Sequence, residues 1–356
     1  MQDIDMQDES VRRKIFWLLQ RISSYSLWHK KRDAFRTFAA AYETAVKTWS
    51  PKDPEMVSAD HLATIYEILK QYDTGLDELS LGRRFVWRKD EALERAVTRT
   101  GYLSDYFYKN PNYWERGGQF LPYPPKVDAL ARLLRASMYQ ADDAPLEVAG
   151  TSDQFARLQD PEWLLDKSQY NYSFYELEFP VFPSVLPEMP EPRGLMIRSG
   201  EEVPCDGIWE PMQAESASLR DAQAMRNAGC FNYFVAQIRA PNLSLIDEED
   251  DNWDLVPVPT HWRLLWEDTR YRDGIVPDES AYFLAPRRDS QLPDAAFVQP
   301  VRTSELCPVS GEWRTDEFGG KTVRVEEGQV MPDMLVTDNL GDRMVHWVTW
   351  VLVREI

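Results

Sequence analysis

Glu267 and Asp268 are the residues whose placement first suggests chemistry: two carboxylates close the strand-like run Trp262-Arg263-Leu264-Leu265-Trp266, ahead of Thr269-Arg270-Tyr271-Arg272. Paired carboxylates can divide general acid and base work, as in glycosidases. With Glu210 they would support a hydrolase if two of them converged in one deep pocket. Adjacent strand residues point to opposite faces, so this pair is badly placed to flank one bond. Ion pairing with Arg263, Arg270 or Arg272 is the expected role. Other reactive types are sparse. The chain has no Gly-x-Ser-x-Gly, Walker-type loop, His-Glu-x-x-His or dinucleotide fingerprint. His29, His61, His261 and His346 have no placed partner and read as surface or packing residues. Cys205, Cys230 and Cys307 are too widely spaced for a disulfide framework or a thiolate zinc site, and are expected reduced and buried. The expectation is a protein that is not an enzyme and uses no cofactor or metal.

The run Asp247-Glu248-Glu249-Asp250-Asp251 invites comparison with a calcium loop. An EF-hand needs Gly at its sixth position and Glu at its twelfth, where Asn252 and Val258 stand. The run is then either a solvated loop or a docking surface for a basic partner, and neighbouring Trp253 favours docking. With 13 Trp, 16 Tyr and 15 Phe, a carbohydrate- or peptide-binding module is a rival, which an exposed row of coplanar rings would reveal. Trp209 and Trp313 each sit two residues after a Gly and are expected to be buried.

A formal charge of -19 argues against nucleic acid as a direct partner, because that binding relies on Lys and Arg neutralising phosphates. A basic protein is the better electrostatic match. Residues 1–150 are charge-balanced, so the whole acidic excess falls in 151–356. No apolar run approaches the roughly 20 residues of a membrane helix, so no membrane association is expected. The acidic, polar start is unlike a secretory signal, and a cytoplasmic location is expected.

The fold class that positions these residues is expected to be α+β. Residues 1–150 carry apolar residues at three- and four-residue spacing: Val11, Ile15, Leu18, Ile22 and Tyr25; Phe35, Phe38, Tyr42, Ala45 and Trp49; Leu62, Ile65, Tyr66 and Leu69 behind a cap at Ser58; Leu93, Val97, Leu103 and Phe107; Val127, Leu130, Leu134 and Met138 after Pro124 and Pro125. These predict a helical bundle. Prolines between 180 and 192 make 151–200 a connection. Residues 201–356 read as an acidic, mostly antiparallel β-rich domain, with strands at 231–238, 262–266 and 346–353, a hairpin at 321–326 after Gly319 and Gly320, and a helix around 216–227. A weak echo, Cys205…Gly207-Ile208-Trp209 and Cys307…Gly311-Glu312-Trp313, suggests two related β units without a solenoid period.

Gly207-Ile208-Trp209-Glu210-Pro211, Asn232-Tyr233-Phe234, Trp262 to Tyr271 with Pro277 beyond, and Cys307 to Trp313 resemble immunity proteins of bacterial polymorphic toxin systems, in particular the families immunity protein 71 and immunity protein 72. The motif-bearing part covers roughly residues 200–335. The resemblance implies a protein encoded beside a toxin, often an effector of contact-dependent or type VI secretion, that protects its cell by binding that toxin. It supplies no contact list. Joined to the charge, it gives the expectation of a basic, cytoplasmically acting nuclease as partner, met by Asp247, Glu248, Glu249, Asp250, Asp251 and Trp253 with carboxylates standing in for phosphates.

Overall fold

Helix α1 (Glu9–Ile22) begins where the Asp8 carboxylate accepts the Ser10 N–H at 2.8 Å, with Glu9 in its first turn and Arg21 in its last, each opposing the helix dipole. Val11, Ile15, Leu18 and Ile22 are buried as the spacing predicts, together with Phe16, Trp17 and Leu19. Tyr25 opens α2 (Tyr25–Thr48) instead of extending that stripe. Helices α3 (His61–Leu79), α4 (Ala92–Tyr108), α5 (Pro125–Arg135) and the single turn α6 (Glu162–Leu165) follow. In α3 the buried face is Ile65, Ile68, Tyr72, Leu76 and Leu79; Tyr66, expected in the stripe, is exposed. Ser58 lies ahead of that helix, where its hydroxyl accepts the Asp60 N–H at 3.1 Å. Pro125 occupies the first position of α5, where no N–H is needed, and the next two N–H groups, of Lys126 and Val127, donate to the Glu55 carboxylate at 2.7 and 3.1 Å.

The computed structural model describes residues 4–53, 55–108, 125–138, 145, 155–166, 171–172, 175–176, 179–192, 194–214, 225–246, 255–284, 298, 300–317, 320–337, 343–346 and 348–356. Helices precede antiparallel sheets, which is the predicted α+β layout. The contacts form two compact units: residues 1–30, 70–98 and 138–285, and residues 31–69, 99–137 and 286–356. Each unit combines helical segments from before residue 150 with strands from after it. An amphipathic helix needs an apolar surface on which to bury its stripe, and a sheet supplies one. The expected break near residue 150 marks the change of secondary structure; compactness follows these other lines.

In the first unit, β1 (Asn171–Tyr172) pairs with β2 (Tyr175–Glu176), and the proline-rich 179–192 is irregular. The main sheet uses β3 (Met196–Arg198), β4 (Gly207–Ala214), β5 (Met225–Asn227) and β6 (Asn232–Phe234), while β7 (Leu243–Ile246) and β8 (Leu255–Val258) form a separate hairpin leading to β9 (His261–Glu267). Its order is β3-β9-β4-β5, with β6 also on β4, all antiparallel. The helix expected around 216–227 is corrected in its described part: Met225, Arg226 and Asn227 add a strand to Ala214, Gln213 and Met212, and pairing at the sheet edge overrides the local pattern. Residues 215–224 lie outside the described residues.

The second unit holds β10 (Val301–Arg302), β11 (Gly311–Thr315), β12 (Lys321–Val325), the hairpin β13 (Met334–Thr337) and β14 (Arg343–His346), and β15 (Thr349–Glu355). Its main sheet runs β10-β15-β11-β12. The β11–β12 ladder, with Gly320 at φ +79°, is the predicted hairpin.

The two sheets repeat one module. Gly207 and Trp209 open β4 as Gly311 and Trp313 open β11, and the neighbouring ladder shifts register at the same step, between Ile208 and Trp209 and between Glu312 and Trp313. Gly207 faces Glu267 and Trp209 faces Leu264; Gly311 faces Glu355 and Trp313 faces Leu352. The Ser199 hydroxyl donates to Pro241 O and accepts from Thr260 N–H (2.8 and 2.9 Å), as the Thr303 hydroxyl does with Pro332 O and Val348 N–H (3.1 and 3.0 Å). Trp262 and Trp350 donate their indole N–H to those same proline carbonyls at 2.8 and 2.9 Å. Glu201 accepts the Arg198 N–H at 2.8 Å and Glu305 that of Arg302 at 2.7 Å.

The shared glycines are sterically required. At Gly207, φ is +157° and an added Cβ would meet Trp266 O at 2.1 Å; at Gly311 it would meet Arg354 O at 2.8 Å and Leu352 Cδ1 at 2.4 Å. Gly207→Ala and Gly311→Ala should each cost about 2–4 kcal/mol. Urea unfolding followed by tryptophan fluorescence measures this, and a midpoint unchanged from wild type would refute the tight approach.

Candidate functional site

Two of the three carboxylates that invited a catalytic reading, Asp268 and Glu210, lie in separate buried ion clusters of the first unit. The first forms around Asp268, just past the end of β9. Arg84, in a single 3-10 turn (Arg84–Trp87), donates to Asp268 Oδ1 at 2.8 Å, with both side chains fully buried. Arg270 grips the same carboxylate at 2.9 and 2.7 Å, and the Tyr233 hydroxyl donates to Oδ2 at 2.9 Å. Burial pushes the Asp268 carboxyl up, but Arg270 and Arg84 outweigh it and hold it below the ordinary aspartate value. Burial drives the Tyr233 phenol well above its usual range, so it is a donor throughout. Arg84 Nε and Nη1 find no hydrogen-bond acceptor among the described residues; the guanidinium lies over the rings of Tyr271 and Trp87, 5.1 and 5.8 Å from their centroids, where cation–π attraction partly replaces those bonds. Gly82, at φ +74°, brings this turn so close that a Cβ would stand 2.9 Å from Arg272 N.

Beside this cluster, the Tyr271 hydroxyl and the Glu279 carboxylate contact each other and accept the first free N–H groups of α2, Tyr25 at 2.8 Å and Ser26 at 2.9 Å. The second cluster is centred on Glu210 of β4, which is buried between Arg12 of α1 (2.8 Å) and Arg263 of β9 (2.6 Å), with Asn227 Nδ2 donating at 3.1 Å. Burial raises this carboxyl, and Arg263 with Arg12 more than reverses the effect, leaving it below the ordinary glutamate value.

Every carboxylate proposed for acid or base work is thus engaged. Asp268 is held by Arg270, Glu210 by Arg263 and Glu267 by Arg272 at 3.1 Å, the three arginines the sequence offered, and the carboxylates of Glu210 and Asp268 serve different clusters. Arg12, Arg84 and Tyr233 were missed, since nothing in their local sequence distinguishes them from surface cations or a packed tyrosine. Trp209 and Trp313 are fully buried as expected, as are Trp28, Trp87, Trp262 and Trp350. Cys230 and Cys307 are buried and Cys205 half-buried. His29 packs on Tyr25 and His61 on Tyr42; His261 accepts from Arg198 at 3.2 Å; His346 lies in β14. Asp247, Glu248, Glu249, Asp250, Asp251 and Trp253 lie outside the described residues, between the paired ends Ile246 and Leu255 of β7 and β8. Among the described residues, no helix is long and apolar enough to cross a membrane.

Neutralised, inward-facing charge of this kind fixes how helix and strand sit on one another within the unit. Immunity protein 71 matches residues 6–155, and immunity protein 72 matches residues 188–284. Over those two stretches, which cover much of its length and leave residues 285–356 outside both, the chain is similar to these immunity protein families. Neither a curated protein nor a solved structure matches it.

Because Asp268 and Glu210 sit below their ordinary values when folded, their contribution to stability is complete above the unfolded carboxylate range of about pH 4 and is lost as pH falls through the lower folded values. Asp206, raised by burial, acts with opposite sign: its contribution is present at low pH and fades as pH rises through its folded value. Asp268→Asn should cost about 3–5 kcal/mol at neutral pH by leaving Arg84 buried without its counter-charge and Arg270 with Glu279 alone. It should also flatten the acid limb of stability against pH. Urea titrations between pH 3 and 7 would show both, and a variant that keeps the wild-type acid slope would contradict the assignment.

Proposed function

We propose that the chain neutralises a cognate toxin by binding it stoichiometrically, without turnover, and that this toxin is a basic nuclease acting in the cytoplasm, delivered by a contact-dependent or type VI route. The observation that carries the reading is the pair of immunity protein matches, whose families point to toxin neutralisation. The saturated state of Glu210, Glu267 and Asp268 supports binding over catalysis. The nuclease and its basic character rest on charge: the acidic excess of residues 151–356 matches a cleft built for a polyanion, and carboxylates there stand in for phosphates.

The segment proposed to meet that cleft is Asp247 to Asp251, with Trp253 as an anchor. Its flanks are firmly placed: Ile246 pairs with Leu255, and at the base Asn242 O accepts the Ala156 N–H at 2.8 Å while Ser244 N–H donates to Gln159 at 3.0 Å. Replacing Asp247, Glu248, Glu249, Asp250 and Asp251 by Lys should slow association with the purified toxin about tenfold or more, and the effect should shrink as salt brings the Debye length below about 10 Å. Trp253→Ala should instead speed dissociation, at a cost of about 2 kcal/mol. Stopped-flow kinetics at two ionic strengths separate the two roles. An unchanged on-rate for the lysine variant would leave the acidic run as a solubility feature.

A further inference from the structure

The repeated module supplies an internal comparison, because one face of its first copy is covered and the same face of its second copy is open. In the first copy, that face carries Ile208 and Glu210 on β4, opposite Trp266 and Arg263 on β9. Helix α1 lies on it: Arg12 reaches Glu210 at 2.8 Å, and one turn later Phe16 meets Trp266 edge-on, 6.2 Å between centroids. Ile208 and Glu210 are accordingly buried.

In the second copy, the matching register positions are Glu312 and Arg314 on β11, opposite Arg354 and Val351 on β15. Arg314 thus stands where Glu210 does, Val351 where Arg263 does, and Arg354 where Trp266 does. Arg324 of β12 flanks them across the strand from Glu312. This face is exposed: Val351 is 49% accessible, Val353 56% and Ile356, just past β15, 68%, while the Arg314 and Arg354 side chains are 61% and 63% open. The opposite face is packed, with Trp313 and Trp350 fully buried. A sheet with three aliphatic side chains and three guanidinium groups on its open face is unusual on a chain of charge -19. Of the ion pairs it makes, Arg314 with Asp316 at 2.6 Å lies in solvent and gives way at little cost, while Arg354 with Glu312 at 2.7 Å joins an exposed guanidinium to a half-buried carboxylate.

We propose that this face is a docking surface for an amphipathic helix of the cognate toxin, seated as α1 is seated on the first copy, and carrying carboxylates where α1 carries arginine. Its apolar stripe covers Val351, Val353 and Ile356, and its acidic residues reach Arg314, Arg324 and Arg354. The charge of the occupant follows from the exchange at the central position: Glu210 takes Arg12, so Arg314 takes an Asp or Glu. The choice of the toxin as the owner of the helix rests on the toxin-binding reading above. The helix geometry does not.

The test has two arms. In the first, wild type and an Arg314→Glu/Arg354→Glu variant are compared for binding to the purified toxin, with Tm confirming that the variant folds. The expected result is dissociation at least tenfold faster for the variant, with residues 351–356 protected from hydrogen exchange in the wild-type complex. Equal dissociation of variant and wild type overturns the docking face while leaving toxin binding intact. In the second arm the probe is a labelled peptide of residues 5–24 of this chain with Arg12→Glu, added to the full chain and followed by fluorescence anisotropy. It should bind wild type and lose at least tenfold affinity for the variant. Failure of wild type to bind the toxin removes the toxin reading alone, and the peptide then decides the face: no binding, or equal binding to both proteins, overturns it.

Discussion

Much of the first unit depends on the burial of Asp268 between two arginines. A carboxylate taken out of water loses several kcal/mol of hydration, and only close, geometrically matched cations restore it. Arg270 supplies a two-pronged grip from two residues away, and Arg84 arrives from a turn far off in the sequence. That long-range partner fixes where the segment 84–87 must lie, and Trp87 is carried with it against Trp28 and Tyr233. Arg270 also donates to the carbonyls of Gln20 and Ser23 at 3.0 and 3.1 Å, closing the C-terminal end of α1. One carboxylate therefore sets the positions of β9, the 3-10 turn and the junction between α1 and α2. Glu210 does the same further along α1 through Arg12, so the register of that helix on the sheet is specified by charge at two points and filled in by Phe16.

The second copy of the module shows what happens when those charges are exchanged. The backbone scaffold is retained in detail: the hydroxyl hinge of Ser199 or Thr303, the indole N–H on a proline carbonyl, the register shift beside the tryptophan. These contacts lie within the sheet and its own small core, so they are indifferent to what covers the outer face. The outer face has diverged in charge. Asp268, the final anchor of the first copy, corresponds to Ile356, whose N–H still donates to the matching carbonyl, Ser310 at 3.1 Å against Asp206 at 2.9 Å. Backbone pairing was conserved by geometry while the side chain that demands a buried cation was not.

The helices, the hairpin at 321–326 and the burial of Trp209 and Trp313 were legible in the sequence because each depends on local periodicity or local sterics. The arginine partners of Glu267 and Asp268 were legible in part, since Arg270 and Arg272 stand within a few residues. Arg84 and Arg12 were not, because a buried ion pair of long sequence separation leaves no periodic trace. The repeat showed as Gly-x-Trp with a cysteine upstream. Glu201 and Glu305 stand at the same distance before the shared Gly in both copies and were missed because single polar residues in short loops carry no pattern. Trp262 and Trp350 are separated from that Gly by connections of different length, and surface connections tolerate such insertions at small entropic cost. The interleaving of the two units was hidden for a related reason: charge balance and proline usage report the change from helix to strand, and carry no information about which helix buries its stripe on which sheet.

Opposite charges on one protein need not compete, because they act over different distances. An excess of -19 shapes the field beyond the molecular surface, and screening at physiological salt still lets it act over about 8 Å. A guanidinium on a sheet face that also presents Val351 and Val353 matters at contact, where the incoming surface expels water and the pair is no longer screened. A partner with a basic working cleft and an acidic helix elsewhere would be attracted by the first and held in register by the second. Such a division also discriminates among partners: a protein that is merely basic would be drawn by the net negative charge and then meet Arg314 and Arg354 with like charge, which costs more at short range than the steering gains at long range.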